Sequence, residues 1–195
     1  MVSHGAKNQA LNFSFKERDK SGVYKALGEV LIELVRSIPN GVVVLFSSYG
    51  LMETSCHEFR NCSILGQFYK HKEVFIEDRS SVNFKDQLES FTRASRTGKG
   101  ALMFAVMRGK MAEGIDLCDD ECRAIILVGV PFPNLKDKKI EAKKIYLDTQ
   151  KATLNGRDWY MAETYRSINQ ALGRVIRGVN DYGAIYLLDE RFQKQ

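Results

Sequence analysis

Three apolar runs constrain this chain more than any other feature. Val42-Val43-Val44-Leu45-Phe46, Ala101 to Met107 and Ala124 to Val130 are continuous, with no polar residue at alternate positions. A strand with one wet face alternates apolar and polar residues; a strand without alternation is buried on both faces, as in a parallel sheet covered by helices. The intervening segments supply those helices. Ser21 is placed to cap a helix running to about Ile38, whose apolar residues Val23, Leu27, Val30, Leu31, Leu34 and Ile38 keep helical spacing, and Pro39-Asn40-Gly41 ends it. Leu51, Met52, Cys56 and Phe59 predict a second helix, whereas residues 60–72 fit neither pattern. Val74-Phe75-Ile76 reads as a short strand and residues 83–95 as a helix through Phe84, Leu88 and Phe91, broken by Thr97-Gly98-Lys99-Gly100. The third strong strand is stopped by Pro131-Phe132-Pro133. A lysine-rich helix over 136–150 and a longer one over 158–177 follow, and Asp181-Tyr182-Gly183 turns into a last strand, Ala184 to Leu188. The expected class is α/β, a parallel sheet with helices on both faces. Residues 1–20 read as an irregular leader containing the alternating piece Leu11 to Phe15, and 21–195 as one lobe.

In such sheets ligands meet the carboxyl ends of the strands. Here those ends are Ser47-Ser48-Tyr49, Arg108-Gly109-Lys110 and Asp189-Glu190-Arg191, all polar. The net charge of +5 fits a nucleic-acid partner without establishing one. No apolar run approaches the ~18 residues of a membrane span, so no membrane role is expected. Cys56 and Cys62 are separated by five residues and Cys118 and Cys122 by three, neither being a usual metal spacing. Free thiols and no metal or iron–sulfur site are expected in this chain. His57 and His71 have no visible partners.

Two strings carry chemistry. In Gln170-Ala171-Leu172-Gly173-Arg174-Val175-Ile176-Arg177, a continued helix puts Gln170, Arg174 and Arg177 at i, i+4 and i+7 on one face. Two guanidinium groups side by side repel unless an anion faces them, and their planar forks suit a phosphate; the bland reading of Arg-x-x-Arg alone is a solvated helix end. The second string, Arg108-Gly109-Lys110-Met111-Ala112-Glu113-Gly114-Ile115-Asp116, leaves a strand end. Its glycines allow close ligand approach, Arg108 and Lys110 suit phosphates, and Glu113 and Asp116 accept from hydroxyls or arginines. By composition alone it is a charged surface loop.

The order of residues is more specific than the composition. Gln-x-x-Gly-Arg-x-x-Arg resembles motif VI of superfamily 2 helicases. The Arg108 string resembles motif V of their iron–sulfur branch, Arg-Gly-Lys-x-Ser-Glu-Gly-x-Asp-Phe, with Ala112 for the usual Ser and Leu117 for the usual Phe. Gly41 to Tyr49 is similar to motif IV. Pro131-Phe132-Pro133-Asn134 and Gly156-Arg157-Asp158-Trp159-Tyr160 are similar to the branch of the Fanconi anaemia group J and telomere-elongation regulator helicases, while Arg177-Gly178 and Leu51-Met52-Glu53 lean toward XPD. The resemblance covers nearly the whole chain and implies a RecA-like second motor lobe of an XPD-like DNA helicase.

It implies much else as expectation. ATP with Mg²⁺ would sit between two lobes, held mostly by a first lobe that also carries the iron–sulfur cluster; this chain begins where that lobe should have ended and is expected to be a fragment. Arg174 and Arg177 would stabilise charge on the transferring phosphoryl group, with Gln170 helping to bind the nucleotide or to order the cleft. Glu113, Gly114, Asp116 and Gly173 would line the nucleotide side, and Ser48, Tyr49, Arg108 and Lys110 the DNA track. The implied partners are single-stranded or forked DNA, the first lobe of the same polypeptide and repair-complex proteins, in the nucleus, with 5′-to-3′ movement. The alternative is a non-catalytic nucleic-acid or protein-binding module on a helicase-derived fold. Gly98-Lys99-Gly100 is not a phosphate-binding loop, since it precedes a strand and lacks the Gly-x-x-x-x-Gly-Lys-Ser/Thr order. Lys136, Lys139 and Lys143 read as a solvated face, and Trp159 and Tyr160 as packing residues.

Overall fold

The structure, a computed structural model, describes residues 1–18, 22–79, 84–109, 119–150, 154–176 and 179–193. The three apolar runs become the middle of a sheet. Among the described residues five strands, β1 (Gly41–Phe46), β2 (Glu73–Ile76), β3 (Ala101–Val106), β4 (Ala124–Val128) and β5 (Ala184–Leu188), pair in the order β2-β3-β1-β4-β5. Every pairing is parallel. β1, β3 and β4 are buried at all positions, as their unbroken apolar content requires, while edge strands β2 and β5 are partly exposed.

Successive residues of each strand feed two cores. Val42, Val44, Phe46, Phe104 and Ile126 pack with α1 (Val23–Ser37), α2 (Tyr49–Asn61) and α3 (Ile64–His71). That core is aromatic: Phe68 meets Phe59 and Phe104 edge-on at centroid distances of 5.7 and 5.6 Å, a favoured geometry. On the other face Val43, Leu45, Met103 and Leu127 pack with Phe91 and Ala94 of α4 (Phe84–Ser95), Ile168 and Ala171 of a long C-terminal helix, and Val175 beyond it. The β1-to-β2 connection covers one face, and the oppositely directed β2-to-β3 and β4-to-β5 connections the other, as right-handed crossovers demand. Strand order reverses at β1. Phe46 is level with Val106 and Val128, so the carboxyl ends of β1, β3 and β4 meet at that switch point.

Several boundaries differ from expectation. The cap of α1 is Gly22, in the left-handed region at φ 91°, while Ser21 lies outside the described residues. The ambiguous stretch 60–72 holds α3; its apolar anchors Ile64 and Phe68 are four residues apart. β4 stops at Val128, two residues early, because Gly129 turns the chain at φ 78° against Ser47 and Leu51. The lysine-rich helix α5 (Lys138–Thr149) starts late because Asp137 caps it by accepting from the Lys139 N–H. It buries no residue, and Lys136, Lys139 and Lys143 are solvated. Within the segment read as a leader, the Val2 N–H donates to the Leu187 carbonyl beside β5, and Leu11 and Phe13 enter the first core.

Candidate functional site

The carboxyl ends of the strands make one polar edge. Ser48 ends the β1 turn, exposed, and caps α2 by accepting from the Leu51 N–H at 3.2 Å. Tyr49, half-buried, opens that helix, and its hydroxyl donates to Glu77 Oε1 at 3.0 Å. Burial first, and the Glu77 carboxylate second, push the phenol up to about 12. Arg79 lies over the Tyr49 ring at 5.0 Å and pairs with Glu53 at 3.0 Å. Glu77, only 4% exposed, follows the last residue of β2, and its Oε2 accepts from the Val106 N–H at 2.8 Å. The turn after β3 closes through the Gly109 N–H to the Val106 carbonyl at 2.8 Å. A Cβ on Gly109 would lie 2.7 Å from Glu77 Oε1, so glycine is required there by space. Arg108 sits in the left-handed region at φ 62°, exposed, and donates from Nε and Nη2 to Ser167 Oγ at 2.9 and 2.7 Å.

Ser167 belongs to α6 (Gly156–Leu172), the helix that brings in the second string. Its Thr164, Ile168 and Ala171 face inward at helical spacing, and Asn155 caps its start by accepting from the Asp158 N–H. Gln170 is exposed near its end. The continuous helix to Arg177 does not form. α6 ends at Leu172, Gly173 is its exposed C-cap, and the N–H groups of Arg174 and Val175 turn back to Ala171 and Leu172, a tighter winding. Glycine weakens the helix at this point, and Val175 is drawn into the core, 1% exposed, against Gly183, where any side chain would collide with it. Arg174 is therefore a half-buried residue of a turn, not of a helical face. Arg177, Lys110, Glu113, Gly114 and Asp116 lie outside the described residues.

The third strand end is closed on itself. Asp189, fully buried, takes a bidentate grip from Arg191 at 2.8 and 2.7 Å and accepts from the Phe13 N–H, while Glu190 accepts from Asn12. Tyr160 packs as expected, stacked on Phe132 with its hydroxyl donating to the Pro133 carbonyl at 2.7 Å. Glu77 and Ser167 were missed by sequence reasoning. A carboxylate directly after the short run Val74-Phe75-Ile76 was the available signal for Glu77; a serine within a helix gave none. The Gly98-Lys99-Gly100 turn lies at the opposite edge, beside a cavity of about 460 Å³ lined by Arg36, Lys72 and Arg96 among others. Among the described residues no three of His, Cys, Asp or Glu converge as metal ligands, and no helix is long and apolar enough to cross a membrane.

A parallel sheet covered on both faces, with its polar groups gathered at the switch point, defines a RecA-like α/β lobe. Residues 31–195 match the family described as the helicase C-terminal domain, and the chain belongs to that family. It is 39% identical over 197 residues to the regulator of telomere elongation helicase 1 homolog of Drosophila persimilis, and 39% identical over 199 residues to that of Anopheles gambiae. Each match takes in 99% of this chain and 20% of the relative, so the chain spans about a fifth of their length. Two solved structures, described as XPD helicase and apo XPD, superimpose with TM-scores of 0.68 and 0.70 over 94% of this chain and 30% and 35% of theirs. At 24% and 22% identity that likeness is one of fold. The expected family is borne out: this is a helicase C-terminal domain with the fold of the XPD lobe.

Proposed function

We propose that the chain is the second motor lobe of an ATP-dependent DNA helicase that moves 5′ to 3′ in the nucleus. It completes an ATP site held mainly by a first lobe and forms part of the single-strand track. One observation carries this reading: Arg108 of the motif V turn is docked on Ser167 of the helix that leads into motif VI. Ser167 and Gln170 lie three residues apart on that helix, whose end at Leu172 leads directly into the arginine turn. Arg174 and Arg177 supply positive charge to the phosphoryl group in transfer, and Gln170 and Gly173 border the same cleft. Glu113, Gly114 and Asp116 continue the motif V loop toward it. Ser48, Tyr49, Arg108 and Lys110 hold the DNA backbone. The Mg²⁺ that accompanies the nucleotide would be held mainly by the first lobe. When bound, that ion neutralises charge on the phosphates; the groups this chain contributes bind and orient.

The test uses the full-length protein. Arg177→Ala is expected to lower ATP turnover by about 10³- to 10⁵-fold while nucleotide binding falls far less, and Arg177→Lys is expected to rescue little, since a point charge does not replace a planar fork. Near-normal turnover in the alanine variant would overturn the arginine-finger assignment.

A further inference from the structure

The Glu77 side chain touches two other strand ends. Its carboxylate accepts from the Tyr49 hydroxyl at the end of β1 and from the Val106 N–H where β3 turns, while its own N–H donates to the Phe104 carbonyl at 2.8 Å and extends the β2–β3 ladder by one residue. It is 4% exposed, and Gly109 lies so close that no side chain fits between them. A carboxylate taken out of water is retained only where donors surround it. Here the donors are parts of the two segments that carry Ser48-Tyr49 and Arg108.

We infer that Glu77 is a positioning residue for DNA binding, the buried link that makes the Ser48-Tyr49 end of β1 and the Arg108 turn after β3 move as one body. The inference rests on the assignment of those segments to the DNA track. Glu77 itself touches no DNA. It holds the Val106–Gly109 turn closed, and the turn sets Arg108 at its left-handed angle against α6. Without the link Arg108 loses its fixed place and its phosphate contact with it.

The experiment reads the salt dependence of single-strand binding by the full-length protein, which a purely structural glutamate would not alter. Each phosphate contact contributes about 0.7 to the slope of log K against log salt. Glu77→Ala is expected to reduce the slope by about 0.7, the same drop as Arg108→Ala, and the double variant is expected to drop no further. Glu77→Gln keeps an acceptor for Val106 and an amide against the Tyr49 oxygen, and is expected to retain the wild-type slope. If Glu77→Ala is too unstable to purify, Glu77→Asp, one methylene short of spanning both partners, carries the same expectation. A reduced slope in Arg108→Ala with a wild-type slope in Glu77→Ala or Glu77→Asp overturns the positioning role alone. A wild-type slope in Arg108→Ala overturns the DNA track itself.

Discussion

The two edges of one sheet treat their charges differently. At the amino ends of the strands, charge is spent on the fold. Arg123, 8% exposed, is held by Asp181 at 2.8 Å and Asp120 at 2.9 Å and lies 4.0 Å over the Tyr182 ring. Lys72, 3% exposed, donates to the Asn40 carbonyl at 2.7 Å. At the carboxyl ends, Asp189 and Arg191 are likewise paired, but Ser48 and Arg108 stand exposed around a switch point. The cavity of about 460 Å³ is at the amino edge, and a hollow of about 290 Å³ lies beside Glu77 and Arg79 at the polar edge. Cavity size therefore does not mark the proposed site: a cleft shared with a second lobe would be open in this one alone, and strand polarity is the better guide.

Arg123→Ala should break the comparison most severely. It removes the guanidinium that holds Asp181, whose side chain is 1% exposed, a change that costs about 3 kcal/mol or more in urea-induced unfolding. Single-strand affinity of the folded protein should not change; lost affinity at unaltered stability would mean the amino edge takes part in binding.

Gly109→Ala tests the other edge with an intermediate effect. The added Cβ meets Glu77 Oε1 and the Val106 carbonyl at 2.7 Å, an overpacking of about 1–3 kcal/mol. Unlike Arg123→Ala, it should weaken DNA binding as well, because the turn carrying Arg108 must open. Unchanged affinity measured by fluorescence anisotropy would contradict the placement of that turn in the track.

An alkaline titration sharpens the contrast at the smallest scale. Burial lowers Lys72 from 10.5 to about 8. Between those values the unfolded chain holds the extra proton, so this group makes stability rise with pH, by on the order of 1 kcal/mol. Tyr49 at the other edge works in the opposite sense: folded, it keeps its proton to about 12, so its contribution is lost as pH rises above 10. Melting temperature followed from pH 8 to 11 should lose its rising component in Lys72→Met and its falling component in Tyr49→Phe. Identical profiles in wild type and variants would deny both shifts.

Much of the edge was legible beforehand, and the limits have physical causes. The buried strands announce themselves because burial on both faces removes alternation, so β1 was placed at Val42 to Phe46, within the observed Gly41–Phe46. Ser48, Tyr49 and Arg108 were found because polar residues directly after an apolar run mark a strand end. The arginine string was legible as a motif but not as a conformation. Helical spacing continues through Val175, yet packing against Gly183 takes that residue out of the helix. Glu77 was not singled out because one carboxylate after a three-residue run makes no pattern.

The order of residues by itself determined the parallel sheet, its covered faces, the polar switch-point edge and the helicase motifs, since each depends on neighbours within a few positions of the chain. Only the tertiary structure decided which strand ends meet. The register that sets Ile76 beside Phe104, and Phe46 beside Val106, brings Glu77 between Tyr49 and the Arg108 turn. Those groups are 28 and 29 residues from Glu77 along the chain, and no local periodicity records a contact that arises only when three separate strands are laid side by side.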